Sequence, residues 1–166
     1  MAQTSPICTK RSVYLNTSST HHTNASSDAK IYPWKRGTLN VYGNTVTLDT
    51  GQVVDWIPSE DIVDANEKDS SKWVHLDNIN ALTHTNEPSI VAYLKARFLR
   101  DQLYCYTGRV LIAVNPFKPL PYLYELQYFQ ENHIPHVFAI AESAFQCIQR
   151  GPSHSNASSQ TIVVTY

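Results

Sequence analysis

Apolar and polar residues alternate in short runs between residues 31 and 66. The runs TLNVY, TVTLD and QVVDW are rich in β-branched residues, and Gly43 and Gly51 lie in the polar intervals between them. Glycine adopts the positive φ angles that tight turns need, so the pattern predicts an antiparallel meander of strands and turns. About 36 residues in short strands suffice for a small barrel but not for a sandwich. We therefore predict a small all-β barrel over residues 30–68.

From about residue 73 the apolar residues recur at helical spacing. A first helix is expected to begin at Asn86 or Thr85, either of which can cap it, and Gly108 is expected to close its far end. Its apolar face is predicted to comprise Ile90, Val91, Leu94, Phe98, Leu99 and Leu103, with the basic Lys95, Arg97 and Arg100 mostly off that face. These cations are interpreted as a solvated or locally paired surface.

A second group of elements follows. The run VLIAV is apolar on both faces, which is typical of a strand in the middle of a sheet, and the prolines of NPFKPLP then predict an extended loop. A second helix is predicted from Pro135, with a buried stripe of Val137, Ile140, Ala141, Ala144, Phe145 and Ile148. The closing run TIVVTY returns to strand. Together these elements predict a parallel β-α-β unit.

Composition narrows the classes of function. The net charge of −1, from 13 basic and 14 acidic residues, gives no electrostatic basis for binding nucleic acid. The apolar runs are shorter than the roughly 18 to 20 residues of a membrane helix, so no membrane insertion is expected. Three widely spaced cysteines without a CxxC fit reduced thiols in the cytosol. Residues 1–29 are rich in serine, threonine and asparagine, and we expect them to form a disordered tail.

Two pairs of side chains are candidates for binding chemistry. Trp34 and Trp56 in the predicted barrel are interpreted either as a stacking pair for a peptide or as packing residues. His133 and His136 form an HxxH that straddles the start of the second helix, so capping or surface roles are favoured over a zinc site. We expect no metal site and assign no catalytic residue.

Several motifs of the second half occur in a fixed order: NEPSIV, LKARF, QLYCYTG, IAVNPFK and PHVFAIAESAF. This series resembles the N-terminal part of the myosin motor head nearly continuously over residues 73–166, and the meander resembles the SH3-like barrel that many myosin heads carry. The resemblance implies an α/β fold, part of a P-loop NTPase motor core with a partial parallel or mixed sheet, over residues 72–166. The SH3-like barrel of residues 30–68 and the disordered tail of residues 1–29 would precede it.

The resemblance also implies a nucleotide site. In myosins the strand matching TIVVTY leads into the phosphate-binding loop G-x-x-x-x-G-K-[ST], and no GK[ST] occurs in these 166 residues, so we expect the chain to stop just before that loop. The implied adenine side is the loop Asn115, Pro116, Phe117 and Lys118, followed by a tyrosine. The position at which many myosins carry that tyrosine is Leu123 here; Tyr124 is favoured, with Tyr122 as the alternative.

For the whole protein, the resemblance implies an ATP-driven, actin-based cytoskeletal motor. ATP and Mg²⁺ are the implied cofactors, bound mostly by residues outside this chain, and actin filaments and calmodulin-like light chains are the implied partners, also through regions outside it. The expected location is cytoplasmic and cytoskeleton-associated. The 166 residues themselves are expected to lack ATPase and motor activity. The alternative hypothesis is a non-enzymatic, peptide-binding interaction module built on the small β-barrel.

Overall fold

The computed structural model describes residues 10–17, 33–40, 45–55, 62–125, 134–149 and 159–165. The chain divides into two compact units, of which the first comprises Met1–His75 with Leu82–Ala96 and the second comprises Leu76–Ala81 with Arg97–Tyr166. Neither of the helices within the described ranges is long and apolar enough to cross a membrane.

The first unit is built on a five-stranded antiparallel sheet. Its strands are β1 (Lys10–Asn16), β2 (Trp34–Asn40), β3 (Thr45–Leu48), β4 (Val53–Asp55) and β5 (Ile62–Asp64), which lie side by side in the order β4-β3-β2-β1-β5. Alternate apolar side chains form its core: Val13, Leu15, Leu39, Val46 and Leu48. Burying each contributes roughly 1.5 to 3 kcal/mol. The predicted meander is therefore present as β2 to β4, in a small antiparallel sheet compatible with an SH3-like β-rich region.

Strand β1 corrects the prediction that residues 1–29 form a disordered tail. Lys10–Asn16 pair antiparallel with the whole of β2, from Lys10 opposite Asn40 to Asn16 opposite Trp34, and also pair with β5. The physical reason is the apolar alternation of Val13 and Leu15, both of which are fully buried in the sheet core. The remaining residues of the predicted tail, 1–9 and 18–29, lie outside the described residues.

The first helix, α1 (Glu87–Phe98), begins where the sequence predicts. The Asn86 Oδ1 accepts a hydrogen bond from the Ser89 backbone N–H at 3.1 Å, so Asn86 is the N-cap. Its Nδ2 donates to the Asp64 backbone oxygen at 2.7 Å, which ties the helix start to β5. The predicted helix end at Gly108 is wrong: α1 ends ten residues earlier, at Phe98, and Asp101 follows with a positive φ of 57°.

The buried face of α1 also differs from the predicted one. Ser89, Tyr93 and Arg97 are buried at i, i+4 and i+8, whereas Leu99 is 73% exposed. Arg97, which was predicted to belong to the solvated surface, is only 5% exposed. Hydrophobic periodicity missed this stripe because two of its three side chains are polar, and polar side chains can be buried when hydrogen bonds satisfy them.

The second unit contains an antiparallel hairpin, β6 (Tyr104–Thr107) and β7 (Val110–Ala113). Its two-residue turn begins with Gly108, whose φ of +60° suits a glycine at the first turn position. The strand predicted from VLIAV is therefore present, but it pairs with its immediate neighbour in the chain rather than in a parallel β-α-β unit. The short loop between YCYT and VLIA makes that local pairing the easiest one to form.

The remaining part of the predicted parallel unit is a helix followed by an irregular segment. Helix α2 (Val137–Gln149) forms as predicted, but none of its residues is buried, so the predicted buried stripe is not observed. Residues 159–165 adopt no regular secondary structure, contrary to the predicted strand, and Val163 is 77% exposed. A strand requires a hydrogen-bonded partner, and no other described segment pairs with residues 159–165. Tyr166 lies outside the described residues.

Candidate functional site

A cavity of about 340 Å³ lies at the open end of the β6–β7 hairpin, within the second unit. Its walls come from the start of β6, the end of β7, the NPFKP loop and a 3-10 turn at Pro121–Tyr124. Four of the five residues predicted for the adenine side line it: Asn115, Pro116, Lys118 and Tyr124. A volume near 300 Å³ is at the small end of ordinary ligand sites. The cavity can therefore hold one planar ring system of the size of a nucleobase.

The loop after β7 turns through its own asparagine. The Asn115 Oδ1 accepts a hydrogen bond from the Phe117 backbone N–H at 2.9 Å, and Phe117 has a positive φ of 53°. Asparagine favours this local turn because its short side chain reaches the backbone two residues on. The turn leaves the Phe117 side chain 90% exposed and outside the cavity lining. Phe117 is thus the one predicted loop residue that the structure places away from the others.

Lys118 contributes to the cavity wall as part of an ion pair. Its Nζ lies 2.6 Å from the Asp101 Oδ1, and both side chains are partly exposed. An exposed pair of this kind contributes at most about 1 kcal/mol. The ion pair instead holds the Lys118 side chain along the cavity wall and connects the loop to the residues that follow α1.

Two tyrosines form the aromatic wall. Tyr104, at the start of β6, and Tyr124, at the end of the 3-10 turn, both line the cavity, whereas Tyr122 is not among its lining residues. Burial raises the pKa of the Tyr104 phenol, and the hydrogen-bonded Tyr124 phenol raises it further. Tyr104 therefore stays neutral at physiological pH. Of the two tyrosines considered from the sequence, Tyr124 is the one that lines the cavity.

The His136 side chain packs against the aromatic wall of the cavity. Its side chain is buried and lies edge-on to Tyr104, with ring centroids 4.8 Å apart. Its Nδ1 accepts from the Phe138 backbone N–H at 3.2 Å, at the start of α2. The capping role that the sequence favoured for this residue is therefore observed, while His133 lies outside the described residues. Among the described residues, no group of three or more histidine, cysteine, aspartate or glutamate side chains could hold a metal ion.

Arg97 is the structural residue that sequence reasoning missed. Its guanidinium donates to the Leu76 and Tyr104 backbone oxygens, at 2.8 Å each, and pairs with Asp77 at 3.3 Å. The Tyr104 oxygen that accepts from Arg97 belongs to the first residue of β6, which also lines the cavity. A signal was present in the sequence, since an arginine at i+8 from Ser89 continues a helical stripe with Tyr93.

The comparison with known families matches this part of the chain. Residues 76–166, more than half of the chain, match the family model of the myosin head (motor domain). The chain belongs to the myosin head family. Every residue of the cavity falls within the matched region.

Curated relatives support the same assignment. The chain is 38% identical over 91 residues to Protein OPAQUE1 of Zea mays, covering 50% of this chain and 6% of that protein. It is 38% identical over 96 residues to Myosin-52 of Schizosaccharomyces pombe, covering 54% and 6%. It is 37% identical over 115 residues to Myosin type-2 heavy chain 1 of the same yeast, covering 64% and 7%. The chain thus spans about one sixteenth of the length of these relatives.

Proposed function

We propose that this chain is the N-terminal part of a myosin motor and supplies the adenine side of its ATP site. The observation that carries the proposal is the cavity at the end of the β6–β7 hairpin, which brings Asn115, Pro116, Lys118 and Tyr124 together with Tyr104. In this proposal the sheet of the first unit is the SH3-like barrel, predicted over residues 30–68, and residues 72–166, which include α1, belong to the motor domain. Strand β1 adds to the barrel from the segment before it.

The chemistry of the cavity fits a nucleobase. The two tyrosine rings offer aromatic surface, which a purine can contact by stacking or by its edge. The Asn115 Oδ1 is used by the loop, and its Nδ2 carries the two hydrogens that can be donated to ring nitrogens of a base. A base without charge also suits a site whose lysine is already paired with Asp101.

In the same proposal, other parts of the motor bind the phosphates of ATP and Mg²⁺. Bound ATP supplies the phosphoanhydride bond whose hydrolysis drives the motor, and its phosphates and Mg²⁺ require a phosphate-binding loop of the GK[ST] type. The residues of this chain orient the base and exclude water from one of its faces. Actin filaments, calmodulin-like light chains and a cytoplasmic, cytoskeletal location belong to the proposal for the whole motor.

Saturation-transfer NMR of ATP with the 166-residue chain tests the base site, since this method detects weak binding. We expect saturation at the adenine H2 and H8 protons to exceed that at the ribose. Tyr124→Ala should abolish the effect, while Phe117→Ala, which changes a side chain outside the lining, should leave it unchanged. Equal loss in both variants, or no saturation in the unmodified chain, would refute the base site.

Hydrolysis is a separate expectation. Because the 166 residues contain no GK[ST], we expect the chain alone to release no phosphate from ATP above a protein-free blank. A phosphate-release assay measures this directly. Release above the blank that disappears in Asn115→Ala would contradict the expectation.

A further inference from the structure

His136 caps helix α2 through its side chain. The Nδ1 accepts from the Phe138 N–H at 3.2 Å, and the His136 carbonyl accepts from the Ala139 N–H. One of the amides that a helix N-terminus leaves without an intrahelical partner is thereby satisfied. Because Nδ1 is the acceptor, the neutral imidazole carries its proton on Nε2. The cap therefore depends on one tautomer of the uncharged ring.

The same ring contacts the cavity wall at two places. Its centroid lies 4.8 Å from that of Tyr104 and 6.4 Å from that of Tyr124, with interplanar angles of 72° and 75°. Tyr104 and Tyr124 both line the cavity, and His136 is 1% exposed. One buried side chain thus joins the start of α2 to both aromatic rings of the site, one on β6 and one on the 3-10 turn.

We infer that His136 is a positioning residue of the cavity: in its neutral form it holds Tyr104 and Tyr124 in place and couples them to the N-terminus of α2. The identity of the ligand in this inference rests on the proposed function, whereas the coupling itself does not. Two consequences follow from the geometry. The aromatic wall should change with the charge on His136, and a displacement of the start of α2 should be transmitted to the base site.

The direction of the pH effect follows from the surroundings of the ring. Burial lowers the pKa of the His136 imidazole below its ordinary value of about 6.5. Protonation would put a hydrogen on the cap acceptor and a positive charge at the positive end of the helix dipole. The titratable groups that face it from β6 and the 3-10 turn are the phenols of Tyr104, Tyr106 and Tyr124, and burial raises the pKa of the Tyr104 and Tyr106 phenols. We therefore expect the wall to keep its geometry above about pH 6.5 and to lose it as the pH falls through the lowered value.

Proton–carbon NMR of the tyrosine rings in the full chain tests the coupling without any ligand. We expect the Tyr104 and Tyr124 resonances to shift between about pH 8 and pH 4.5 with the midpoint of the His136 Cε1–H. In His136→Asn, whose amide oxygen can still cap α2, these shifts should disappear. His75→Asn, a change at an exposed histidine of the first unit, should leave them as they are. Tyrosine shifts that persist in His136→Asn, or that follow a different midpoint, would overturn the inference.

A second measurement separates the cap from the ring contacts. His136→Phe keeps an aromatic ring but not the acceptor, whereas His136→Asn keeps the acceptor but not the ring. We expect His136→Asn to weaken ATP binding by about two- to tenfold near neutral pH and to make it independent of pH between 5 and 7, as estimated from a typical aromatic contact. Unchanged affinity with an unchanged pH profile would contradict the positioning role. If the unmodified chain binds no ATP, the proposed function fails, and the tyrosine titration still decides this inference.

Discussion

Replacing Arg97 with methionine removes a buried cation that holds β6 in place. In the structure its guanidinium donates to the Leu76 and Tyr104 backbone oxygens at 2.8 Å, and its side chain is 5% exposed. Methionine has a similar length and can fill much of the same volume, but it has no donor. The substitution therefore isolates the hydrogen bonds from the packing.

The expected cost follows from those two contacts. A hydrogen bond from a charged donor contributes about 1.5 to 3 kcal/mol, so losing two costs about 3 to 6 kcal/mol. The Asp77 contact adds little, because it is 3.3 Å long and the aspartate is half-exposed. Removing a buried charge also removes its desolvation penalty, which offsets part of the loss. We expect a net loss of about 3 kcal/mol, a large fraction of the stability of a small unit.

Native-state hydrogen exchange measures this loss where it should occur. The Tyr106 N–H donates to the Asp77 carbonyl at 2.7 Å, and the Val114 N–H donates to Leu103 at 3.0 Å, so both amides report on the hairpin. A loss of 3 kcal/mol corresponds to exchange that is faster by about a hundredfold. Lys95→Met, which removes an exposed cation from the same helix, should change exchange by less than about threefold. Equal effects of the two substitutions would refute the role assigned to Arg97.

Three further predictions concern Gly37, a buried glycine of β2, the Asn86 cap and His136. Gly37→Ala should lower the free energy of unfolding by about 2 kcal/mol in a urea titration, because its Cβ would meet a β3 carbonyl oxygen at 2.7 Å; an equal loss in exposed Thr38→Ala would contradict this. Asn86→Ala should cost about 1 to 2 kcal/mol through the cap on Ser89, in addition to the lost bond to Asp64, and Asn86→Ser, which restores the cap acceptor, should recover most of the cap's share; no difference between the two would exclude the cap. Acidification below about pH 6.5 should lower the melting temperature through His136, whose pKa burial lowers, and His136→Asn should remove that component, so a melt insensitive to this substitution would argue against it.

The elements that sequence reasoning predicted correctly are those with a local signal. Strands β2 to β4 alternate in hydrophobicity and are separated by short segments that contain glycine, and Asn86 precedes a proline-containing first helical turn. The Gly108 turn had a local signal too, because YCYT and VLIA flank a two-residue connection that begins with glycine. The helical spacing of Leu99 and Leu103 extends past Phe98, so periodicity alone places Gly108 at a helix end.

The errors arise where tertiary contacts decide the outcome. Strand β1 is seven residues long within a polar segment, and averaging over residues 1–29 conceals Val13 and Leu15. Arg97 is buried because the backbone oxygens of Leu76 and Tyr104, 21 and 7 positions away, accept hydrogen bonds from it, and a count of apolar positions alone does not include a buried arginine.

The residues of the candidate site likewise fall into those that the sequence predicted and those that it missed. The loop residues were predicted through a family resemblance, and four of the five line one cavity. Phe117 was included although an asparagine turn places it outside, and that turn depends on a positive φ that the sequence alone does not fix. Tyr104 lies 11 positions before Asn115, and His136 lies 21 positions after it. Only the fold brings these two residues together at the cavity.

Photolabelling with 8-azido-ATP, followed by mass-spectrometric mapping of the modified peptide, tests the central claim most directly. The reactive group is on the base, so the label reports where adenine binds rather than where phosphate binds. We predict that the label maps between Leu103 and Tyr124, the segment that lines the cavity, and that excess ATP prevents it. Labelling confined to the β-sheet of the first unit, or labelling that ATP does not displace, would contradict the account.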